Sequence, residues 1–166
     1  MVLADDAAAG FAALLARHAG IVRKIAATYC RDRDDRADLA QEIATALWQA
    51  FPRYDASRPF STWMYRVAFN VAISHVRDAS RRNRHSVPFD DALHDVAAPP
   101  VDDEAGQHAA LLQRAIASLD PLNRALLVLY LDDHSHREIA EILGITETNV
   151  GTRVARLKER IRRELA

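Results

Sequence analysis

The sequence predicts an all-α fold made of two small helical domains joined by a flexible acidic linker. Three observations predict it: 31 of the 166 residues are alanine, short alternating β-branched runs are scarce, and apolar residues recur at helical spacing. Alanine has the highest intrinsic helix propensity, whereas strands are enriched in β-branched and aromatic residues. The composition alone therefore favours helix throughout the chain.

The individual helices are placed by apolar residues three or four positions apart, which line one face of a helix. Such stripes are Leu39–Ile43–Leu47, Trp63–Val67–Val71, Leu111–Ala115–Leu119 and Val150–Val154–Leu157–Ile161. Pro52, Pro59 and Pro121 fall at breaks or in first turns, where a missing N–H costs little. These patterns predict helices near residues 5–18, 20–31, 36–50, 60–83, 107–118, 121–131, 136–143 and 147–164.

The segment 87–107 differs in composition from the rest of the chain. It contains three prolines and six acidic residues but no basic residue. Because prolines remove helical N–H donors and like charges repel, we expect an extended, mobile linker here. The linker divides the chain into an N-terminal domain, residues 1–86, and a C-terminal domain, residues 108–166.

The formal net charge of −1 argues at first against a nucleic-acid binder, whose surface should be basic. Divided by segment, however, the charge is +4 over residues 1–86, −6 over 87–107 and +1 over 108–166. Twenty of the 22 basic residues are Arg, the side chain best suited to phosphates and base edges. The near-neutral total thus hides two locally positive domains, and it does not exclude nucleic-acid binding.

Composition does exclude several other classes of protein. A single cysteine, Cys30, leaves no disulfide framework and is typical of the reducing cytoplasm. No apolar run is long enough for membrane insertion, and the N-terminus carries acids where a signal peptide needs positive charge. The histidines and acidic residues lack the spacing of metal ligands, and the sequence shows no pattern typical of a catalytic triad or of a catalytic carboxylate pair. We therefore expect no metal, no cofactor and no enzymatic activity.

Cys30 has two interpretations. It stands at the apolar end of a predicted helix, where a buried cysteine acts as a small hydrophobic residue. The alternative is a redox-sensing thiol, which requires exposure and an electropositive environment. We expect the buried residue.

The segment SHREIAEILGITETNVGTRVARLKERIRREL, residues 135–165, has the spacing of a helix-turn-helix. Ala140 is the small residue where two helices cross, Gly144 lies in the turn, and Val150 locks the second helix. Thr146 is expected to cap that second helix, whose first turns then face outward. The remaining core positions are expected at Ile139, Leu143, Ile145 and Val154.

The outward turns of the second helix carry side chains suited to DNA. Arg and Asn have bidentate matches to guanine and adenine in the major groove. Gly151 costs about 1 kcal/mol inside a helix relative to Ala, and either close approach to DNA or neutral drift would account for it. Arg160 and Arg163, further along, suit phosphate contact. The expected DNA-binding residues are Thr148, Asn149, Gly151, Thr152, Arg153 and Arg156 of this helix, together with Arg137 of the preceding one.

Residues 38–84 combine a polar helix edge with interleaved aromatic and basic side chains. Aromatic rings beside cations can hold unstacked single-stranded bases, and each stacked base contributes about 1–3 kcal/mol of binding free energy. Tyr54, Arg58 and Phe60, in or beside a loop, fit base binding and a structural role about equally. The stripe Trp63–Val67–Val71 is expected to be mainly core. The polar edge consists of Asp38, Gln41, Glu42 and Thr45.

The segments DLAQEIATALWQAF (38–51) and RPFSTWMYRVAFNVAISHVR (58–77) resemble the second conserved region of bacterial sigma factors. The helix-turn-helix resembles their fourth region. A chain with only these two regions and a short linker is similar to the extracytoplasmic-function (group IV) subfamily of the sigma-70 superfamily. The resemblance implies a cytoplasmic transcription initiation factor that binds RNA polymerase core and directs it to promoter DNA.

The resemblance also implies roles for particular residues. The polar edge 38–45 would dock on the clamp of the largest polymerase subunit, with the flap of the second as a further contact. The loop 53–61 would capture a flipped base of the −10 element, and the helix 62–82 would read and melt the −10 duplex. The second helix of the helix-turn-helix would read the −35 element, and an anti-sigma factor is an expected partner. The residues implied at the −10 element are Tyr54, Arg58, Phe60, Ser61, Trp63, Arg66, Asn70, Arg77 and Arg81.

Two other functions remain open from the sequence. A stand-alone helix-turn-helix repressor would bind duplex DNA tightly by itself, usually as a dimer. A sigma-like decoy would bind an anti-sigma protein without using DNA. The arginine and aromatic content of residues 53–84 favours DNA use over the decoy.

Overall fold

The computed structural model describes residues 2–85 and 104–165 and confirms the all-α fold. Those residues form eight α-helices and one 3-10 turn, without a strand. The segment 87–103, most of the predicted linker, lies outside the described residues. The helices are α1 (Val2–Arg17), α2 (Ala19–Tyr29), α3 (Arg33–Ala50), α4 (Phe60–His85), α5 (Glu104–Ala117), α6 (Pro121–Leu131), α7 (His136–Leu143) and α8 (Glu147–Leu165).

All eight predicted helices are present, and the bounds differ mainly at helix starts. Helix α1 begins at Val2 and α5 at Glu104, each three residues before its predicted start. The last four residues of the predicted linker are thus helical. No proline follows Pro100 in this segment, and an acidic residue is favourable in the first turn of a helix.

The chain divides into two compact units, Met1–His75 with Glu141–Gly144 and Val76–Ala140 with Ile145–Ala166. Within the described ranges, no helix has the length and apolar character that a membrane span requires.

The core of the N-terminal helices is built on the predicted apolar stripe of α3. Leu39, Ile43 and Leu47 are fully buried, and α3 packs against α2. Helix α3 begins sharply because the Asp32 carboxylate accepts hydrogen bonds from two backbone N–H groups of its first turn, at 2.9 and 3.2 Å. Asp32 is therefore the N-cap of α3, and the acids Asp34 and Asp35 lie in its first turn.

The buried face of α4 lies one residue further along than the predicted stripe. Trp63, Val67 and Val71 are only partly buried, so the prediction that they form the core is wrong. The buried side chains on this helix are Met64, Tyr65, Ala68, Phe69 and Ala72, together with Phe60 at its start. Adjacent residues on a helix are about 100° apart, so neighbouring apolar stripes compete for the core.

Cys30, at the end of α2, is 7% exposed, which confirms the prediction of a buried small residue. Burial raises the pKa of its thiol, and the nearby Asp35 carboxylate adds to the effect. The backbone carbonyl of Cys30 accepts a hydrogen bond from Arg36 Nε at 2.8 Å. The environment therefore keeps the thiol protonated, the opposite of what a redox sensor needs.

The C-terminal helices share a core to which α6, α7 and α8 contribute. The predicted lock Val150 is fully buried, as is Ile139, and Val154 is 5% exposed. Leu143 and Ile145 are only partly buried, and Ile142 takes the buried position instead. In α5, Ala115 is buried as predicted, but Leu111 is 43% exposed and lies outside the core.

Candidate functional site

The predicted polar edge of α3 forms one exposed surface, which we call the α3 patch: Asp38, Gln41, Glu42 and Thr45. All four side chains are exposed and line one open groove. The groove also includes Gln49 and Val71, which the sequence reasoning missed, although Gln49 follows Thr45 at the same four-residue spacing. The three fully buried residues of α3 lie behind the patch, so its backbone is anchored on the core.

One side chain outside α3 reaches the α3 patch. His75 of α4 places its Nδ1 3.1 Å from Oε2 of Glu42. The histidine side chain is 21% exposed and the glutamate 54% exposed. The Glu42 carboxylate is therefore held at the surface by a partner from the neighbouring helix.

The loop before α4 is closed by its own side chains. The Tyr54 hydroxyl donates to the backbone carbonyl of Arg58 at 2.7 Å. The Asp55 carboxylate accepts hydrogen bonds from the Ser57 hydroxyl, at 2.7 Å, and from the Ser57 backbone N–H, at 2.9 Å. These bonds to the charged form hold the pKa of Asp55 below its ordinary value, with the hydroxyl contributing most. The loop is thus internally braced although it is exposed.

An aromatic cluster underlies this loop. The ring of Tyr54 lies 5.1 Å from Trp63 and 5.4 Å from Phe60, centroid to centroid, and Phe51 lies 6.0 Å from Tyr54. Phe60 is 7% exposed, so its ring packs against its aromatic neighbours and is not open to a base. Tyr54 and Trp63 remain partly exposed above it. The sequence left open whether these rings bind bases or support the fold. Burial now assigns Phe60 to the support of the fold and leaves Tyr54 and Trp63 accessible to a base.

The polar residues expected on α4 share one face of the helix. Arg66, Asn70, Arg77 and Arg81 are all exposed. At about 100° per residue, separations of 4, 11 and 15 positions keep them within roughly 60° of each other around the helix. Ser61, in the first turn, is partly buried. The result is a cationic stripe continuous with the aromatic loop.

The helix-turn-helix has the predicted local geometry. Gly144 adopts a φ of 67° in the turn between α7 and α8, a conformation that glycine adopts without steric cost. The Thr146 hydroxyl accepts a hydrogen bond from the backbone N–H of Asn149 at 3.1 Å, which confirms the predicted cap of α8. Ser135 and Glu138 form a reciprocal capping box at the start of α7. The Ser135 backbone N–H is the main reason that the pKa of Glu138 lies below its ordinary value.

The residues predicted to contact DNA fall into two groups by exposure. Arg137, Thr148, Thr152 and Arg156 are exposed, whereas Asn149, Gly151 and Arg153 are partly buried. Arg153 donates through Nε to Oδ1 of Asn149 at 3.0 Å. A groove beside this face is lined by Asn123, Asn149, Arg153, Arg156, Leu157, Glu159, Arg160 and Arg163.

Asn123, at the start of α6, and Glu159 are residues of this groove that the sequence reasoning missed. Asn123 contacts the proposed recognition face directly. Its Oδ1 accepts a hydrogen bond from Arg153 Nη1 at 3.1 Å. The two residues are 30 positions apart, so helical spacing could not have related them. In residues 2–85 and 104–165, no group of three or more His, Cys, Asp or Glu side chains is placed to hold a metal ion.

Known proteins share both halves of this architecture. The family models described as Sigma-70 region 2 and Sigma-70, region 4 match residues 14–82 and 109–161. The ECF RNA polymerase sigma factor SigW of Bacillus subtilis is 30% identical over 77% of this chain and 74% of its own. RNA polymerase sigma factor CnrH of Cupriavidus metallidurans is 30% identical over 96% of this chain and 91% of its own.

A solved structure has the same fold. The sigma factor RpoE from Bartonella quintana, crystallised with the anti-sigma factor NepR, superposes with a TM-score of 0.72. The match covers 94% of this chain and 96% of that one, at 20% sequence identity. The two family models and the sequence relatives place the chain in the class of bacterial transcription initiation factors. The chain belongs to the sigma-70 family, as a sigma factor of the extracytoplasmic-function subfamily.

Proposed function

We propose that this sigma factor docks on RNA polymerase core through the α3 patch, recognises and melts the −10 element with the loop 53–61 and α4, and reads the −35 element with α8. The observation that carries the proposal is that each of these surfaces is exposed and separately anchored on a buried core. Because RNA polymerase works in the bacterial cytoplasm, we expect the protein to act there.

The α3 patch is suited to a protein partner more than to nucleic acid. Its two charged residues, Asp38 and Glu42, are acidic, and acids on an exposed surface repel phosphate. Its amide and hydroxyl groups, at Gln41 and Thr45, can pair with polar groups across an interface. We propose that the patch binds the clamp of the largest subunit, with the flap of the second subunit as a further contact.

The loop 53–61 supports capture of an unstacked base. Tyr54 and Trp63 present partly exposed rings, and base–aromatic stacking is worth about 1–3 kcal/mol per base. Flipping a base out of the duplex costs a few kcal/mol, so one or two such contacts offset it. Phe60 supports these rings from beneath, and its contribution to −10 binding is therefore indirect.

The cationic stripe of α4 supports binding of the −10 strands. Arg66, Arg77 and Arg81 are exposed on one face with Asn70, so several arginines can meet phosphates along one strand. Each phosphate neutralised releases counterions, so this contribution should fall steeply with salt. Ser61 stands at the junction of the loop and the stripe.

The start of α8 supports duplex recognition in the major groove. The Thr146 cap fixes where the helix begins, and a recognition helix contacts base edges with its N-terminal residues. Thr148, Thr152 and Arg156 are exposed there, and Arg137 of α7 is exposed as well. We propose that this face reads the −35 element.

We also propose control by an anti-sigma factor. The structurally similar RpoE was crystallised with the anti-sigma factor NepR. A factor that redirects polymerase needs to be restrained when its promoters are not required. An anti-sigma factor that covers the α3 patch would compete directly with polymerase core.

The decisive experiment is reconstitution of the full chain with RNA polymerase core on a library of genomic promoters. We expect weak DNA binding by the chain alone, and promoter-selective strand opening with core, mapped by reactivity of unpaired bases. Tight autonomous operator binding without any effect on polymerase would instead identify a repressor. Anti-sigma binding without promoter opening would identify a decoy.

The core-binding assignment has its own test. Replacing Asp38 and Glu42 together by Arg should abolish measurable association with core without weakening the binding of the full chain to duplex DNA. Asp6→Arg on α1, an exposed acid outside the patch, is the control for a change of charge. Equal loss of core and DNA binding in the double variant would contradict the assignment.

A further inference from the structure

Arg153 lies on the face of α8 proposed to meet DNA, yet its guanidinium is already bonded at two nitrogens. Nε donates to Oδ1 of Asn149 at 3.0 Å, one helical turn earlier. Nη1 donates to Oδ1 of Asn123, in the first turn of α6, at 3.1 Å. The side chain is partly buried between these partners. Arg153 therefore joins two helices before any DNA is bound.

Asn123 is held from its other side by the cap of α6. Its backbone N–H donates to Oδ1 of Asp120 at 3.0 Å, and its Nδ2 donates to the second oxygen of the same carboxylate. Asp120 is the N-cap residue of α6, so its position is fixed by the helix end. A continuous chain of hydrogen bonds thus runs from Asp120 through Asn123 and Arg153 to Asn149.

The direction of this chain determines how Asn149 is oriented. A guanidinium only donates hydrogen bonds, so the amide atom that faces it has to be the oxygen. Oδ1 of Asn149 is consequently turned towards Arg153, and the Nδ2 group is directed away from it. A side chain that is oriented before binding loses less conformational entropy when it meets its target.

We propose that Arg153 is a positioning residue, and that the base-reading side chain at this point of α8 is Asn149, with its Nδ2 group presented to the DNA. The proposal rests on the proposed function of α8 as the −35 recognition helix. A donor reads an acceptor in the major groove, which guanine, adenine and thymine offer and cytosine does not. Asn149 should therefore reject cytosine at the base it faces.

Asn123 becomes a determinant of promoter preference although it lies outside the recognition helix. Its link to the base runs through Arg153, so its loss should affect the same base position as loss of Asn149. Arg162, near the end of α8, provides the contrast. It is exposed and lies outside the groove that Asn123 and Arg153 line, so its replacement by Lys removes a guanidinium away from the face proposed to read DNA.

The test is a −35 library in which every base pair is varied, bound by the full chain in complex with RNA polymerase. At one position we expect the wild type to disfavour cytosine by about two- to tenfold, the scale of one hydrogen bond. Asn149→Ala, Arg153→Lys and Asn123→Ala should each flatten the preference at that position. In the Asn149→Ala background, Arg153→Lys should flatten it no further. The matched control, Arg162→Lys, should leave all preferences unchanged.

Three results would overturn the proposal. If Arg153→Lys flattens a different position from Asn149→Ala, Arg153 reads a base itself. If Asn149→Ala acts while Arg153→Lys and Asn123→Ala do not, the hydrogen-bond chain has no role in recognition. If Asn123→Ala lowers the melting temperature without changing base preference, the hydrogen-bond chain from Asp120 to Asn149 is only structural. A wild type that selects no −35 sequence at all would instead contradict the proposed function of α8.

Discussion

His75 on α4 and Glu42 on α3 are joined by a hydrogen bond of 3.1 Å between Nδ1 and Oε2. Since Glu42 belongs to the α3 patch, this bond links the surface proposed to dock on polymerase to the helix proposed to open the −10 element. A carboxylate on an exposed helix samples several rotamers, and a fixed partner reduces their number. The pair thus gives the α3 patch a preferred shape.

His75→Ala should therefore weaken association with polymerase core by about two- to tenfold, the worth of one hydrogen bond. The affinity can be measured by titrating labelled sigma factor with core enzyme. His108→Ala, a change of the same kind at an exposed position of α5, should have no effect. An unchanged affinity in His75→Ala, with an unchanged melting temperature, would show that the bond does not shape the interface.

Gly151→Ala should stabilise the protein by about 0.5–1 kcal/mol, because glycine is a poor residue for a helix interior. An added Cβ would lie 3.6 Å from Nδ1 of His136, an ordinary van der Waals distance. If the glycine permits close approach to DNA, the same change should reduce −35 binding despite the gain in stability. Calorimetry and promoter binding with polymerase measure the two effects.

The matched control for Gly151 is Gly10→Ala in α1, where an added Cβ would meet nothing within 4 Å. It should also stabilise the chain, and it should leave −35 binding unchanged. Normal −35 binding by Gly151→Ala would mean that the glycine has no role in DNA contact and reflects neutral drift.

Gly144→Ala should destabilise the protein by about 1–2 kcal/mol, because a residue with a Cβ is strained in the left-handed region. The φ at this position is 67°, although the space around it is open. Gly144→Asn should cost less, since asparagine tolerates the left-handed region better than alanine does. Chemical unfolding of the wild type and the two variants checks this order. Equal stability of the Ala and Asn variants would show that backbone strain at position 144 is not the cause of the destabilisation.

Cys30 should react slowly with thiol reagents at neutral pH, and only as fast as the fold opens. Burial raises the pKa of its thiol, so the neutral form is favoured in the folded state. The stabilisation that comes from burying the neutral thiol is complete below the pKa that the thiol has in the unfolded chain. It is lost as pH rises through the higher thiol pKa of the folded state. The difference in unfolding free energy between the wild type and Cys30→Ala should accordingly narrow at alkaline pH. Rapid reaction of Cys30 with the reagent in the native protein at neutral pH would show that the thiol is neither buried nor kept neutral.

The sequence by itself determined the helices, the turn and the family resemblance. Local interactions set these features: the Thr146 cap is a bond between residues three positions apart, and the Gly144 conformation depends on the missing Cβ. The burial of Leu39 and Val150 followed from apolar spacing. Each of these can be inferred from a short window because the stabilising partner lies in the same window.

Tertiary structure alone decided which of two adjacent stripes on α4 enters the core, and which polar residues meet across helices. Val67 and Ala68 are both apolar and about 100° apart, so the choice between them depends on the shape of the neighbouring helices. The pairs His75–Glu42 and Asn123–Arg153 join positions 33 and 30 residues apart. No local pattern encodes such pairs, because the two side chains meet only after their helices have packed.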